Sequence, residues 1–370
     1  MKTVIQFVPL LSDGGAQTII RSYSAMIDRN EIDFIVITLF PCYASANYKA
    51  VSEMGIKIYS LYPQDNMIYR GINKLLGIQI TSRLLKRRIM TIQPCAIHIH
   101  MALLKYLAPI RDTLNDIRLF YTCHSLPEYF FSGINENERK AAKQLISDNN
   151  LQIIALHEKM ADELNNLLDI DNTLVLKNGI NIDAFTGVHE SKTEIRKELG
   201  FPEDAFIIGH VGRFTKVKNH LFIIEIFKEL LKYRNAHLVL VGDGELLGAV
   251  SERIKRLGIE DKVTILSHRR DVPKILKSLD IFLFPSLYEG LSVSLIEAQA
   301  AGLRCVISNT IPDVNRVLDS TVSLDLNSTP ECWCKAILNQ NLTQKATSSL
   351  KDYDIKAIVY SLQKMYLGQR

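Results

Sequence analysis

No apolar run in this chain approaches the roughly 18 residues needed to cross a bilayer, so no membrane-spanning helix is expected. The apolar run at residues 1–8 is long enough for a short secretory core. It lacks a small-residue cleavage site and leads straight into Asp13-Gly14-Gly15, so a first strand is expected instead. Cysteine is sparse and scattered. The six at 42, 95, 123, 305, 332 and 334 form no C-x-x-C pair, and Cys332-Trp333-Cys334 is too tight for zinc ligands. Buried thiols in a reducing cytoplasm are the expectation. A strong charge of one sign is also missing: the formal +4 is too mild to argue for nucleic acid. Acid is absent locally, however. Residues 66–111 contain no Asp or Glu, while Arg70, Lys74, Arg83, Lys86, Arg87, Arg88, Lys105 and Arg111 fall there. Beside them Ile68, Ile72, Leu75, Leu76, Ile80, Leu84 and Leu85 mark a broken helical stripe. A basic amphipathic helix over residues 70–90 can lie on anionic lipid; the alternative is a solvated helix face.

What is present is an alternation. The 370 residues are 47% hydrophobic and 23% charged, the balance of a globular protein with room for two cores. Strand-like runs lie near residues 3–8, 32–39, 56–59, 95–99, 117–123, 152–156 and 173–176, with amphipathic segments between them. The pattern resumes near 205–211, 236–241, 262–266, 280–284 and 304–307. This predicts α/β architecture with parallel sheets, in two doubly wound units joined near Gly179–Glu190. The expected divisions are residues 1–182, residues 183–350, and a closing segment 351–370 whose Tyr353–Tyr366 stretch reads as a helix.

The richest stretch runs from Phe282 to Gly302. An apolar strand leaves through Pro285-Ser286, and a loop then carries Glu289 and Gly290. A helix starts near Ser292, a fitting N-cap, and stops at Gly302. The first turn of a helix leaves N–H groups and partial positive charge that suit a phosphate. Two carboxylates beside an anion would repel it, unless each accepts hydrogen bonds from sugar hydroxyls next to the phosphates. Glu289, seven residues, then Glu297-Ala298 and Ala301-Gly302 resembles the E-x7-E signature of retaining family 4 glycosyltransferases of the GT-B type. The wording is similar to the branch that builds capsule, exopolysaccharide and O-antigen. The resemblance implies two Rossmann-like parallel-sheet domains facing a cleft, the first binding acceptor and the second the donor. It also implies a C-terminal helix crossing back to the first domain. Implied with it are a nucleotide-diphosphate sugar donor, expected to be a UDP-sugar, and a growing glycan or lipid-linked acceptor. No cofactor and no metal are expected, and the location is cytoplasmic or peripheral on the inner membrane face.

Other motifs take their places beside this one. Gly14 and Gly15 lie between the first strand and a helix beginning near Gln17, where they allow close approach or φ > 0; in the family a similar loop faces the donor phosphates. His98-Ile99-His100 and Cys123-His124-Ser125 end strands, and strand ends of an open α/β sheet point at the ligand crevice. The resemblance favours His124 beside the donor sugar and gives His100 a lesser match. Gly212, Arg213 and Lys218 follow the first strand of the second unit; there Arg213 and Lys218 supply the cations that a metal would otherwise provide, and in the family they grip the diphosphate. Gly242-Asp243-Gly244-Glu245 looks like a dinucleotide fingerprint, but its third Gly is one place late, and it is similar to the family's own turn. Ser267-His268-Arg269 departs from the usual Gly-aromatic pair near the base. The backbone of Gly290, Leu291, Ser292 and Val293 would hold phosphate or sugar, with Glu297 on ribose hydroxyls and Glu289 on sugar hydroxyls. Asn178-Gly179 resembles the family's joint segment. Asp169-Ile170-Asp171, a lone D-x-D, falls in a helix-to-strand turn and is set aside as a metal site. Two rival functions remain: a nucleotide-sugar-binding protein without turnover, and a GT-B nucleotide-sugar epimerase.

Overall fold

A computed structural model describes residues 1–369. The chain forms two compact units. One comprises Met1–Gly179 together with the C-terminal helix Ile355–Leu367, and the other Ile180–Asp354.

The first unit is built on seven parallel strands: β1 (Lys2–Val8), β2 (Ile32–Thr38), β3 (Lys57–Ser60), β4 (Ala96–His100), β5 (Arg118–Thr122), β6 (Gln152–Ala155) and β7 (Leu174–Val175). Their order is β3-β2-β1-β4-β5-β6-β7. The central strands are buried along nearly their whole length, which is why they read as continuous apolar runs and not as alternation. Winding reverses between β1 and β4, so the loops leaving these two strands flank a crevice at their C-terminal ends. The helix Gly15–Met26 starts two residues earlier than the Gln17 expected. Gly14 serves as its N-cap in extended conformation, so neither Gly14 nor Gly15 is there to supply a positive φ. The helix Ile355–Leu367 docks on this unit through Leu362, Val359 and Tyr366, all buried. Gln363 of this helix binds the Asp28 N–H and the Glu31 carboxylate.

The second unit has six parallel strands: β8 (Phe206–Val211), β9 (Ala236–Val241), β10 (Val263–Leu266), β11 (Ile281–Phe284), β12 (Cys305–Ser308) and β13 (Val322–Leu324). Their order is β10-β9-β8-β11-β12-β13, and the winding reverses between β8 and β11. One face of this sheet packs Ile208, Leu238, Leu240 and Leu283 against Ile223, Phe227 and Trp333 of its helices. The strand β13 was not anticipated, because Ser323 interrupts its apolar run.

At the N-terminal edge of this second sheet, Arg196 is 6% exposed and reaches the Asp280 carboxylate at 2.7 Å. Asp280 also accepts from Lys192 at 2.9 Å and from the Ile207 N–H at 2.7 Å. A cavity of about 580 Å³, lined by Lys192, Arg196, Arg234, Asp280 and Arg304, opens at this edge, away from the loops that follow β8 and β11. Burial works against the Asp280 charge, but the Ile207 N–H, Lys192 and Arg196 outweigh it and hold its pKa below the usual carboxylate value. A depressed carboxyl pKa adds stability above the unfolded-state value and loses it as pH falls through the folded one. Asp280→Asn should therefore destabilise the protein at pH 7 by about 2 kcal/mol, less than a fully buried pair because Lys192 is half exposed. In urea unfolding at stepped pH the gap to wild type should close below about pH 4. A gap that persists there would show the effect is not the carboxylate's charge.

Candidate active site

β8 and β11 are neighbours, so the loops that leave their C-terminal ends meet. Asn219, in left-handed conformation, ends the turn Lys216–Lys218 and donates through Nδ2 to the Pro285 carbonyl at 3.1 Å. The Leu287 N–H binds the Val217 carbonyl at 2.8 Å. These two bonds strap the basic loop onto the Glu289 loop. Lys218 Nζ consequently lies 2.6 Å from Glu289 Oε1 and 4.6 Å from the centre of the Phe284 ring. The two side chains are 17% and 13% exposed. Beneath them, burial pushes the imidazole of His220 down to about 4, and Lys218 adds to the effect. Arg213 is half exposed, with Glu245 at 3.7 Å, so its charge is largely available.

Gly242 and Gly244 are required by packing. Their φ values are +149° and +155°, and a Cβ on Gly242 would lie 2.1 Å from the Gly212 carbonyl oxygen. A Cβ on Gly244 would fall 2.6 Å from the Phe214 carbonyl oxygen. The Phe214 N–H binds the Asp243 carbonyl and the Leu246 N–H binds the Phe214 carbonyl, so this turn clamps the loop that carries Arg213. Arg269 turns its guanidinium to Asp271, with Nε 2.7 Å from Oδ1. His268 has a φ of +54°, and Ser267 Oγ donates to the Gly242 carbonyl.

The helix after Glu289 runs from Val293 to Ala300 with Ser292 at its N-cap position, but the Ser292 hydroxyl makes no capping bond. Its N–H is also engaged, donating to Asn315 Oδ1 at 2.7 Å. Of the backbone donors expected near a phosphate, that one is therefore taken by the protein. The N–H groups at the start of the helix, from Val293 on, keep no intrahelical acceptor. Asn315, fully buried, donates in turn to the Gly290 carbonyl at 3.1 Å. Gln299 holds Asn315 from below, donating to its carbonyl at 2.8 Å. Sequence reasoning missed Asn315 and Gln299: single buried polar residues produce no pattern. Glu297 lies half buried on the same helix.

In the first unit the predicted residues gather at the C-terminal ends of β1, β4 and β5. A Cβ on Gly15 would meet nothing within 4 Å, which leaves space for a ligand against the backbone. Gln17 Nε2 reaches Met101 Sδ at 3.7 Å, joining the helix of this loop to the residue after His100. His100 Nδ1 and His124 Nε2 are 2.8 Å apart, and burial pushes His124 down to about 4. Asp169 caps the C-terminus of the helix Glu158–Leu168 and pairs with Lys143, as befits a turn.

Two doubly wound parallel sheets, each in its own unit, are the architecture of the GT-B class. Residues 13–184 match the model for Glycosyltransferase Family 4, and residues 191–324 match that for Glycosyl transferases group 1. The chain belongs to this glycosyltransferase family. The EpsF protein of Bacillus subtilis (strain 168) is 27% identical over 91% of this chain and 87% of its own length. An Escherichia coli UDP-Gal:alpha-D-GlcNAc-diphosphoundecaprenol alpha-1,3-galactosyltransferase is 32% identical over 36% of each chain. Among solved structures, Anabaena Alr3699/HepE in complex with UDP and glucose superposes with a TM-score of 0.75 at 16% identity, covering 100% of both chains. WaaG, a glycosyltransferase involved in lipopolysaccharide biosynthesis, gives 0.74 at 15% identity, over 99% of this chain and 100% of its own.

Gly242→Ala should cost about 2 kcal/mol or more in urea unfolding, since a left-handed φ and a backbone clash act together. A wild-type midpoint would mean the turn relaxes freely and does not clamp the Arg213 loop.

Proposed function

We propose that this protein is a retaining, metal-independent glycosyltransferase that moves a sugar from a UDP-sugar to a growing, lipid-linked surface glycan. The observation that carries this reading is the meeting of Lys218 and Glu289 beside the start of the helix Val293–Ala300. A diphosphate entering there competes with Glu289 for Lys218, and Arg213 adds a second cation. Glu289, released, turns to the sugar hydroxyls. As the bond from the anomeric carbon to the diphosphate breaks, its electron pair leaves with the phosphate oxygen, and Lys218 and Arg213 stabilise that charge without a metal. The acceptor hydroxyl attacks from the face the diphosphate leaves, and its proton passes to the departing oxygen. The Glu289 carboxylate stabilises the cation-like carbon in between, and no covalent intermediate is needed. Glu297 takes ribose hydroxyls, and His124 lies beside the donor sugar. The name of the Escherichia coli relative, with its UDP-linked donor and diphosphoundecaprenol-linked acceptor, supports the choice of both substrates.

A lipid-linked acceptor calls for a protein that visits a membrane surface. Among the described residues no helix is long and apolar enough to cross one. The helix Met67–Ile92 buries only a narrow stripe, including Gly77, Thr81, Leu85 and Ile89. Ile68, Leu75, Arg83, Lys86 and Met90 recur at helical spacing on its solvent face, and Met67 and Leu75 are 89% and 82% exposed. The basic residues thin out on inspection. Arg70 pairs with Asp65, Arg88 stacks on Tyr59, Lys105 pairs with Glu138 and Arg111 with Asp148. Lys74, Arg83, Lys86 and Arg87 remain exposed, and with the apolar residues between them they form a surface suited to anionic lipid.

Transfer assays should separate the two carboxylates. Glu289→Gln should lower kcat by about 10²–10³-fold, as for loss of one electrostatic contact at the reacting centre. Glu297→Gln should mainly raise the donor KM, because ribose is unchanged during transfer. Product NMR should show the donor's anomeric configuration kept, and turnover should persist in excess EDTA. An inverted product, or wild-type kcat for Glu289→Gln, contradicts the assigned chemistry.

Binding to vesicles containing anionic lipid should weaken with salt. It should also weaken when Lys74, Arg83, Lys86 and Arg87 are changed to Gln, and again for Leu75→Ser alone. Absence of binding at low salt would reduce this helix to a solvated face.

A further inference from the structure

The loop that carries Glu289 is held unevenly. Its first half is pinned to the sheet and to the basic loop. The Pro285 carbonyl accepts from Asn219, the Ser286 carbonyl accepts from Ser308 Oγ and Thr310 Oγ1, and the Leu287 N–H donates to Val217. Beyond Leu287 the support changes. Among the described residues, the backbone from Tyr288 to Leu291 has a single hydrogen-bond partner, the fully buried side chain of Asn315. Its Nδ2 donates to the Gly290 carbonyl at 3.1 Å and to the Pro312 carbonyl at 3.0 Å, while its Oδ1 accepts from the Ser292 N–H at 2.7 Å.

This amide has one workable orientation. Turned over, it would set its oxygen against two carbonyls and its NH₂ against an N–H. Its backbone is fixed as well. Gln299, 1% exposed, donates to the Asn315 carbonyl at 2.8 Å. Through Oε1 Gln299 accepts from the Val317 N–H at 2.8 Å, the Leu318 N–H at 3.1 Å and Thr321 Oγ1 at 2.9 Å. Asn315 is thus a rigid brace, and it grips the loop at a telling place. Gly290 has the widest conformational freedom of any residue type, so an unbraced chain would pivot there, next to Glu289. With Leu287 fixed on one side and Gly290 on the other, the direction in which the Glu289 side chain leaves the backbone is fixed too. Lys218 also holds the carboxylate at 2.6 Å, but a diphosphate that takes Lys218 removes that restraint. From then on the brace is what keeps Glu289 aimed.

We propose that Asn315 is a positioning residue: by holding the Gly290 carbonyl and the Ser292 N–H it stills the glycine pivot and keeps Glu289 on the reacting sugar once Lys218 has turned to the diphosphate. This rests on the reading above that Glu289 acts on the sugar. Asn315 itself touches no substrate and works only through Glu289.

Amide hydrogen exchange on the full chain tests the brace without any substrate. The Ser292 N–H should exchange slowly in wild type and stay slow in Asn315→Asp, whose carboxylate still accepts. In Asn315→Leu, which offers no acceptor, it should speed up by about tenfold, the worth of one hydrogen bond. Equal rates in wild type and the Leu variant overturn the brace. Both variants lose the donor to Gly290, so either carries the kinetic test if the other does not fold. Turnover is read as UDP release with whichever of UDP-glucose, UDP-galactose and UDP-N-acetylglucosamine the wild type uses. Each variant should lose about 10–10²-fold in kcat, as for a misplaced catalytic group, while melting stays cooperative. The donor KM should stay within about threefold of wild type. In a Glu289→Gln background the same substitutions should cost less than about threefold more, because misaiming a group already disabled changes little. Losses that multiply in full overturn the proposal, as does a raised KM at wild-type kcat. A wild-type kcat for Glu289→Gln overturns the reading of the site and the proposal with it.

Discussion

Lys218 and Glu289 stand 71 positions apart in the chain, yet their charges meet at 2.6 Å because β8 and β11 are neighbours. Most of the second unit's site depends on that adjacency. The loops from these strands brace each other through Asn219 and Leu287, and the Phe284 ring lies under the ammonium group. The pair is neither exposed enough to be negligible nor buried enough to be permanent. An exposed pair contributes about 0–1 kcal/mol, and a fully desolvated one is expensive to break. A partly covered pair between those limits can be exchanged for a phosphate without leaving either charge stranded. This is a more useful property for a binding site than stability alone.

The scaffold under that pair was legible because parallel strands buried on both faces leave uninterrupted apolar runs. Twelve of the thirteen strands were anticipated, the exposed two-residue β7 among them, and β13 escaped because Ser323 interrupts the run Val322–Leu324. Lys218 and Glu289 were legible for a different reason, namely their place after strands in a recognisable wording. Their mutual pairing was not, since nothing in the order of residues says that two loops so far apart will share a proton-bearing group. Ser292 shows the limit of local rules. It sits where a cap belongs, but its hydroxyl makes no capping bond and its N–H serves Asn315.

The polar interior was the least visible part. Gln299, Gln6 and His98 are each flanked by apolar neighbours in the chain, and an isolated polar residue within an apolar run reads as noise. Only folding reveals that Gln6 lies against a tyrosine 360 positions away. Buried polar groups of this kind must be satisfied as a set, because a half-satisfied network costs more than none. That requirement couples residues from β1, β4, β5 and the last helix far more tightly than their shared hydrophobicity would.

That last helix has a consequence for how the chain acquires its shape. Residues 355–367 complete the first unit, so the second unit is an insertion within it, and the insertion's own ends are tied by the Ile180 N–H to the Tyr353 carbonyl at 2.8 Å. During synthesis the second unit has all its strands before the ribosome reaches Ile355. The first unit, although begun earlier, still lacks the Tyr366 that Gln6 and His98 require. The part of the protein made first is therefore the part finished last, and until the last helix arrives its sheet waits with an open face.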